Sequence, residues 1–413
     1  MFLTGETLLK KENKISNMEK SFTAISMFSG CGGMDLGFYN AGFKIIWAND
    51  IDSDSCETYR RNFQRLTGED NLQEGDIIDV KRPSKETVDQ VTVVLGGFPC
   101  QAYSNAGLRN GIQDERGQLY EYCIDFIEEY RPQFTVFENV RGLLTIPGKK
   151  HRLIDEIALA LDQLGYEVHI KLINSSNYNV PQNRIRIFMV GVKRGEEMPI
   201  YRFPSPTKKE NLELKHILDV PCDTPNQFDV VQLNPQAYKI GALVPEGGSW
   251  KDIPYEQLPP RLKKIKDNIR KYRWPNFYRR FSREEVAGTI TAAFKPENAG
   301  VWHPTKDRTF SAREIARIQS FPDDFEFFGE SVKSIYKMIG NAVPPQLARM
   351  IAESIITSIL GQMKETITQD YYYVRSQGKP VRPDEYELIF NPNSEYSPMS
   401  NINGVKIEQL EFL

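Results

Sequence analysis

The first 193 residues alternate short apolar runs with segments of helical periodicity, and this alternation limits the fold more than any other feature. Short runs rich in Val, Ile and Phe predict buried strands, and the amphipathic segments between them predict crossover helices. Together they predict an α/β fold with a doubly wound, mostly parallel sheet, which binds ligands at the carboxyl ends of its strands. The predicted strands are 22–28, 43–50, 91–97, 133–139, 166–174 and 184–192; the predicted helices are 53–65, 118–130 and 150–164, with another that ends near residue 41.

The character of the sequence changes after Lys193. Residues 200–300 are rich in Pro and Gly and show few helical patterns, whereas helical pattern resumes at 311–321 and 344–360. We therefore expect a polar leader over 1–20, a sheet domain over 21–193 and an inserted or appended smaller domain over 194–304. The tyrosine-rich tail, 363–413, receives no assignment.

Composition excludes several classes of protein. A content of 40% hydrophobic and 26% charged residues is ordinary for a soluble domain, and no apolar run approaches the roughly 20 residues of a membrane span. The start of the chain lacks the apolar region of an export signal. Five cysteines without a CxxC pair, and four histidines, argue against a zinc site or a disulfide framework and favour a reducing compartment.

The positive charges are concentrated, although the net charge is −3. Residues 261–283 hold ten Lys or Arg and one acidic residue, interleaved with aromatic side chains. This pattern favours a surface that follows a phosphate backbone, and a solvated amphipathic helix is the alternative. The interleaved aromatic residues are Tyr272, Trp274, Phe277, Tyr278 and Phe281.

A glycine-rich turn, FSGCGGMDLGF (28–38), follows the first predicted strand. Its glycines allow a tight turn and a close approach of the backbone to a ligand. Asp50 ends the next strand, where a carboxylate can accept ribose hydroxyls. Asp35 occupies the third glycine position of the GxGxxG pattern, and the loop lacks a basic residue to favour a pyrophosphate. The turn therefore favours a nucleoside such as S-adenosylmethionine, and a plain βα turn is the alternative.

Four further segments carry unusual local chemistry: GGFPCQAYS (96–104), FENV (137–140), QNRIRI (182–187) and GNAVPP (340–345). With the glycine-rich turn, their order and spacing resemble the DNA cytosine-5 methyltransferase family. Residues 116–142 and 311–325 also look like that family, and the resemblance covers about 22–193 and 282–360. It implies a Rossmann-like, S-adenosylmethionine-dependent methyltransferase sheet, to which 305–362 returns, with 194–304 as a smaller, mainly irregular or β target-recognition domain.

The resemblance implies a catalytic set whose chemistry is self-consistent. Carbon 5 of cytosine is a poor nucleophile until a thiolate adds at carbon 6, so a thiol, an acid at N3 and a donor to the carbonyl are needed. Cys100 matches the family's nucleophile, Glu138 the residue at N3 and the exocyclic amine, and Arg186 the donor to the carbonyl. Arg184 matches the arginine near the thiolate and a phosphate. Burial should raise the pKa of Glu138. Taken singly, such residues are more often packing, capping or strand-surface residues.

The cofactor contacts are also carried over position by position. The predicted contacts lie on the glycine-rich turn, at the ends of neighbouring strands, at the start of one helix and in GNAVPP. They are Phe28, Gly30, Gly32, Asp50, Ile51, Asp76, Ile77, Pro99, Leu119, Asn341 and Val343.

The predicted DNA contacts are Lys271, Arg273, Arg279, Arg280 and Gln182. The target cytosine must leave the duplex before a side chain can reach it. Residues 107–117 resemble the mobile loop that closes over the flipped base, and TITAAF (289–294) resembles the segment that closes the target-recognition domain.

The sequence therefore predicts methyl transfer from S-adenosylmethionine to carbon 5 of a flipped-out cytosine in a specific duplex DNA sequence, through a covalent adduct of Cys100 with carbon 6. We expect a cytoplasmic, metal-free monomer of prokaryotic or phage origin that acts in restriction-modification or a related defence system. Its expected partner is double-stranded DNA, with a cognate nuclease encoded elsewhere. The alternatives are a tRNA cytosine-5 methyltransferase and a catalytically inactive DNA-binding relative; the long 194–304 domain argues against the former and the intact catalytic residues against the latter.

Overall fold

The computed structural model describes residues 22–85, 90–99, 119–146, 152–195, 198–207, 210–268, 278–292, 302–362, 371–373 and 388–390. These residues form one nine-stranded sheet in the order β3-β2-β1-β4-β5-β7-β6-β8-β9. The strands are β1 Phe22–Met27, β2 Phe43–Asp50, β3 Leu72–Glu74, β4 Val93–Gly96, β5 Phe134–Val140, β6 Tyr166–Asn174, β7 Ile185–Lys193, β8 Tyr371–Tyr373 and β9 Leu388–Phe390.

The direction of the strands agrees with a doubly wound sheet. β3, β2, β1, β4 and β5 pair in parallel. β7 lies between β5 and β6 and runs antiparallel to both, so it alone reverses direction among the first seven strands. The chain order turns back between β1 and β4, and the crevice at such a switch point is where open α/β sheets bind ligands. The predicted fold class is confirmed, and β2 and β6 occupy the predicted residues.

Helices cover both faces of the sheet because side chains alternate along each buried strand. One hydrophobic cluster holds Ala24 and Val136 with the first, second and last helices, and the other holds Ile25 and Phe137 with the third and fourth. The helices are α1 Gly33–Ala41, α2 Ser53–Thr67, α3 Leu119–Tyr130, α4 Leu153–Gln163, α5 Leu214–Ile217, α6 Pro235–Ala242, α7 Pro260–Asp267, α8 Ala312–Ile318, α9 Val332–Asn341 and α10 Pro345–Ile359.

The C-terminal helices pack against the N-terminal half of the chain. Ser311 caps α8 in a capping box with Glu314, and a proline begins α10, so both helices start where the sequence signals it. A Cβ at Gly37 of α1 would lie 2.5 Å from the carbonyl oxygen of Pro345, so glycine lets α1 and α10 approach closely. The return of the chain is therefore part of the same core as the glycine-rich turn.

The region 194–304 combines two kinds of packing. Tyr201, Phe203 and Val231 join the first cluster beside the sheet. A separate small core begins near α6 and extends through α7. The regular elements in the described part of this region are helices, and only isolated bridges such as Arg280 with Trp302 have β character. The expected irregular chain is therefore found, whereas the expected strands are not among the described residues. The small core consists of Ile240, Val244, Trp250, Ile253, Leu258, Leu262 and Ile265.

Two short strands of the tail extend the sheet. β8 pairs antiparallel with β6 at Ile170 and His169, and β9 pairs antiparallel with β8. These backbone pairings cover an edge of the sheet that would otherwise present unpaired peptide groups. None of the helices in the described part of the chain is long and apolar enough to cross a membrane.

Candidate active site

The topology brings the predicted site residues to one edge of the sheet. The parallel strands β3, β2, β1, β4 and β5 all end there, and β7, being antiparallel, begins there. Across this edge the order of predicted residues runs from cofactor contacts to catalytic groups. In that order they are Asp76 after β3, Asp50 and Ile51 at β2, Phe28 and Gly30 after β1, Pro99 after β4, Glu138 on β5, and Arg184 and Arg186 at the start of β7.

The glycine-rich turn has a backbone that few other residues could adopt. Phe28 has a φ of 57°, Gly30 of 55° and Gly32 of 89°. A Cβ at Gly32 would lie 2.6 Å from the ring of Phe63 and 2.9 Å from that of Tyr59, so this position requires glycine for space as well as for φ. A Cβ at Gly30 would meet no atom within 4 Å, so the turn is open on its outer side.

Asp50 joins the turn to the end of β2. Its Oδ2 accepts the Gly30 N–H at 2.7 Å and its Oδ1 accepts the Asp52 N–H at 2.9 Å. Burial raises the pKa of Asp50, and the two backbone donors oppose that rise. A carboxylate has about four lone-pair sites, so Asp50 retains capacity for a ligand hydroxyl. The neighbouring Ile51 is an apolar side chain with 67% exposure, at the place predicted for the adenine.

Asp35 has a structural role that the sequence did not reveal. It is fully buried and accepts hydrogen bonds from the Ser26 hydroxyl at 2.6 Å and the Tyr59 hydroxyl at 2.9 Å. Burial raises its pKa to about 6, and the hydrogen bonds limit the rise. Its position in the first turn of α1 favours a negative charge. The sequence signal that could have identified this role is an acidic residue near the start of an otherwise apolar helix.

Two asparagines hold the neighbouring loops, and sequence reasoning missed both. The side-chain amide of Asn49 donates to the carbonyls of Gln73 and Gly75 at 2.9 Å each. These bonds hold the backbone that immediately precedes Asp76. Ile77 packs into the second cluster. Asn139 donates to the carbonyl of Phe98 at 3.0 Å. Each asparagine is the sequence neighbour of a predicted strand-end acid, and this placement could have identified them.

Pro99 is the last described residue before a gap in the described chain, and it is exposed at the site edge. The bond from Asn139 to the Phe98 carbonyl anchors the chain next to it. Leu119 begins α3 on the far side of that gap. Cys100 and the predicted mobile loop, 107–117, lie outside the described residues.

Glu138, which is buried, and Arg186, which is half-buried, form an ion pair. They are diagonal neighbours across the β5–β7 pairing, with Glu138 Oε1 3.2 Å from Arg186 Nε. That contact lacks hydrogen-bond geometry, and Oε1 has no hydrogen-bond donor among the described residues. Burial raises the pKa of Glu138, and Arg186 and Arg184 offset part of the rise. Burial therefore favours the protonated form of Glu138 more than water would, and in that form the carboxyl group could donate to a ligand.

Arg184 lies beside this pair and is almost fully buried. Its Nη1 donates to the carbonyl of Ile290 at 3.0 Å, and its Nε has no hydrogen-bond partner among the described residues. Burial lowers the pKa of Arg184, as does the neighbouring charge of Arg186. The guanidinium nevertheless stays cationic near neutral pH because its ordinary pKa is so high. The two arginines and one carboxyl group make a largely buried site with excess positive charge.

The GNAVPP segment packs against the glycine-rich turn at the edge of the sheet. A Cβ at Gly33 would lie 2.4 Å from the carbonyl oxygen of Val343, so this segment rests directly on the start of α1. Val343 is buried and Asn341 is exposed at the end of α9. The structure thus brings both predicted contacts beside the glycine-rich turn, although more than 300 residues separate them from it in sequence.

The predicted DNA contacts are divided. Lys271 and Arg273 lie outside the described residues. Arg279 forms an ion pair with Glu285, in which its Nη2 donates to both carboxylate oxygens at 2.8 and 2.9 Å. Arg280 is 3% exposed and donates to backbone carbonyls and to Asp307 at 2.8 Å.

Gln182 is fully buried, and its amide is hydrogen-bonded within the protein. In this conformation Gln182 and Arg280 would reach DNA only by giving up those bonds, so their DNA contacts stay predictions. No group of three or more His, Cys, Asp or Glu side chains in the described ranges is arranged to hold a metal ion.

Comparison with known proteins identifies the family. A family model of C-5 cytosine-specific DNA methylases matches residues 22–357. The chain is 37% identical over 407 residues to the Type II methyltransferase M.NgoFVII of Neisseria gonorrhoeae, covering 95% of this chain and 99% of that protein. It is 35% identical over 367 residues to the Type II methyltransferase M.Eco47II of Escherichia coli, covering 84% and 81% of the two chains.

Solved structures show the same fold. A DNA modification methyltransferase encoded within an E. coli prophage superimposes with a TM-score of 0.58 at 22% identity, covering 82% of this chain and 100% of that one. A DNMT2 variant of Spodoptera frugiperda also gives 0.58, at 17% identity and with 81% and 100% coverage. The predicted Rossmann-like methyltransferase fold and the predicted enzyme class are confirmed. The chain belongs to the C-5 cytosine-specific DNA methylase family.

Proposed function

We propose that this protein methylates carbon 5 of a flipped-out cytosine within a specific duplex DNA sequence, with Cys100 as the nucleophile. The observation that carries the proposal is the group formed by buried Glu138, buried Arg184 and half-buried Arg186, which lies on the same sheet edge as the glycine-rich turn. A buried carboxyl group with a raised pKa and two cations suits a ring that must accept a proton at N3 and develop negative charge at its carbonyl.

The cofactor side fits a nucleoside. Asp50 retains acceptor capacity for ribose hydroxyls, Ile51 offers exposed apolar surface for a base, and the outer side of Gly30 is open. The family implies S-adenosylmethionine, which when bound supplies an electrophilic methyl group. We propose that Phe28, Gly32, Asp76, Ile77, Pro99, Leu119, Asn341 and Val343 complete the cofactor site.

The proposed residue roles follow from the chemistry of the ring. The Cys100 thiolate adds to carbon 6, and the electron pair of the C5–C6 double bond becomes available at carbon 5. Protonated Glu138 donates to N3, and Arg186 donates to the carbonyl oxygen as charge develops there. Arg184 stabilises the thiolate, because a nearby cation lowers a thiol pKa. When carbon 5 takes the methyl group, S-adenosylhomocysteine is left as the other product. A solvent base then removes the carbon 5 proton, the electron pair of that C–H bond restores the C5–C6 double bond, the Cys100 thiolate leaves, and N3 returns its proton to Glu138.

The wider role follows the relatives. Proteins named Type II methyltransferases match most of the chain, and we propose that this protein modifies one short DNA sequence in a bacterial or phage-infected cell. A nuclease of the same specificity, encoded elsewhere, is the proposed defence partner, and we expect the methyltransferase to act as a cytoplasmic monomer. The basic region 261–283, including Lys271, Arg273 and Arg279, is proposed to follow the DNA backbone.

The decisive experiment supplies labelled S-adenosylmethionine with mixed plasmid DNA, followed by sequencing for 5-methylcytosine. We expect methylation at one short sequence, and label found only in a parallel tRNA reaction would contradict the proposal. Cys100→Ser should abolish turnover and leave cofactor affinity within about 2-fold of wild type. A duplex with 5-fluorocytosine at the target should form a covalent complex with the wild-type protein and not with Cys100→Ser.

A further inference from the structure

Two buried glutamines face each other between the catalytic and cofactor sides of the site. Gln182 precedes β7, and Gln319 follows α8. Both are 0% exposed, and the Gln182 side-chain Nε2 donates to the Gln319 side-chain oxygen. We call these two residues the glutamine pair. Each of these buried amides must also satisfy its remaining donors and acceptors.

On one side the glutamine pair holds Ile290. The Gln182 side-chain oxygen accepts the Ile290 N–H at 2.9 Å, while the Ile290 carbonyl accepts from Arg184 Nη1 at 3.0 Å. The Asn183 N–H donates to the carbonyl of Ala287 at 2.7 Å, so 287–290 runs alongside the start of β7. A shift of Ile290 therefore moves the acceptor that orients Arg184.

On the other side the glutamine pair holds the GNAVPP segment. The Gln319 amide nitrogen donates to the carbonyls of Ile339 at 3.1 Å and Ala342 at 2.5 Å. Ala342 lies between Asn341 and Val343, both proposed cofactor contacts. The chain of bonds therefore runs from Arg184 through Ile290, Gln182 and Gln319 to the cofactor side.

Backbone groups fix the direction of this chain. An N–H can only donate, so the Gln182 oxygen must face Ile290, and a carbonyl can only accept, so the Gln319 nitrogen must face Ala342. Neither amide can flip without opposing two like groups in a buried setting. The chain also joins residues 137 positions apart, which local structure could not hold in register.

We propose that Gln319, acting through Gln182, is a positioning residue that couples the segment 287–292 to the cofactor-side segment 340–343. DNA bound against the former and cofactor bound against the latter then favour the same arrangement, so each raises the affinity for the other. This inference rests on the proposed function, because it assumes that these two sides bind DNA and S-adenosylmethionine.

The test measures duplex affinity with and without S-adenosylhomocysteine, using the sequence that the methylation experiment identifies. For wild type we expect the product to strengthen DNA binding at least about 5-fold, which is ordinary for coupled sites. In Gln319→Met that factor should fall below about 2-fold. Gln182→Met should lose the factor to the same extent, and the double variant should lose no more than either single one, because both residues act in one chain.

Asn62→Leu is the matched control. Asn62 is also a buried amide, and it bonds Thr58 and Glu326 outside the glutamine pair. It should lower Tm as Gln319→Met does and keep the wild-type coupling factor. Equal loss of coupling in Asn62→Leu, an unchanged factor in Gln319→Met, or a wild-type factor of one would each overturn the proposal.

Gln319→Glu gives an independent readout should the Met variant fold poorly. A buried carboxyl group facing two carbonyl oxygens has a raised pKa and can donate only when protonated. We expect its coupling factor to be present at low pH and lost as pH rises through that pKa, while that of wild type changes little; a pH-independent factor would contradict the inference. Absence of DNA methylation by wild type would overturn the proposed function and this inference together, whereas normal methylation with unchanged coupling would overturn this inference alone.

Discussion

The cofactor side of the site, around Asp35 and Asp50, and the base side, around Glu138 and Arg184, satisfy their buried polar groups in opposite ways. On the cofactor side, Asp35 and Asp50 each accept two hydrogen bonds from within the protein. On the base side, Glu138 Oε1 and Arg184 Nε lack hydrogen-bond partners among the described residues. Unpaired buried groups are costly, and in the proposed function the flipped base completes these two. The first side is held by its own hydrogen bonds, and the second is proposed to receive a base.

The largest expected effect on activity comes from a substitution on the base side. Glu138→Gln removes the proposed proton donor to N3, so kcat should fall by about 10²–10⁴-fold, the usual contribution of a general acid. Cofactor affinity should stay within about 2-fold, since Asp50 and the glycine-rich turn are unchanged. Steady-state methyl transfer and calorimetric titration measure the two quantities.

Glu167→Gln is the matched control for that change. Glu167 lies on β6, and the His169 imidazole, whose Nε2 is 3.0 Å from Glu167 Oε1, lowers the pKa of Glu167, so this carboxyl group favours the ionised form that cannot donate a proton. Its variant should retain wild-type kcat. A comparable loss in both variants would show that any carboxyl group of the sheet matters, and the distinction between the two sides would fail.

The next effect concerns the stability of the cofactor side. Because the folded state raises the pKa of Asp35 from 3.8 to about 6, the native protein binds this proton more tightly than the unfolded chain. Its contribution is therefore present at low pH and lost as pH rises between about 4 and 6, and the change amounts to about 3 kcal/mol at about 1.4 kcal/mol per pH unit.

Asp35→Asn should remove that loss. Thermal unfolding of both proteins at several pH values measures it, with the wild type losing stability relative to the variant as pH rises. The variant keeps an acceptor for Ser26, so the comparison isolates the charge. Parallel pH profiles for the two proteins would show that Asp35 does not titrate in this range.

A smaller effect separates binding from chemistry. Asp50→Ala should weaken S-adenosylhomocysteine binding by about 10-fold or more, since hydrogen bonds to charged groups contribute about 1.5–3 kcal/mol. At saturating cofactor kcat should change much less, in contrast to Glu138→Gln. Asp70→Asn, which alters an ion pair with Arg60 at the surface, serves as the control and should bind as wild type does. A lower kcat without weaker binding would reverse the assignment of the two sides.

The smallest expected effect concerns the cysteine thiols near the cofactor side. Burial raises the pKa of Cys31 and raises that of Cys56 to about 12, so both stay neutral and unreactive beside the cofactor turn. Brief alkylation followed by mass spectrometry should label exposed Cys222 and spare those two. Prior addition of S-adenosylhomocysteine should not change that pattern, and labelling of Cys31 would show that the turn opens.

Much of the fold could be predicted because its signals are local. Apolar runs, helical periodicity, the proline before α10 and the Ser311 cap each act over a few residues, and they located the strands and helices closely. The motif order also placed Glu138, Arg184 and Arg186 beside one another, since strand ends of one sheet meet at one edge. The helices of 235–267 were missed because short helices among prolines give little periodicity.

The sequence by itself determined which residues end the strands and therefore which chemistry reaches the ligand edge, because covalent order and alternation of side chains decide this. Only the tertiary structure decided that β7 reverses between β5 and β6, that Asp35 bonds Ser26 and Tyr59, and that Gln182 faces Gln319. The physical reason is distance along the chain. A hydrogen bond between residues 137 positions apart forms only after the intervening elements have packed, and no local pattern records it.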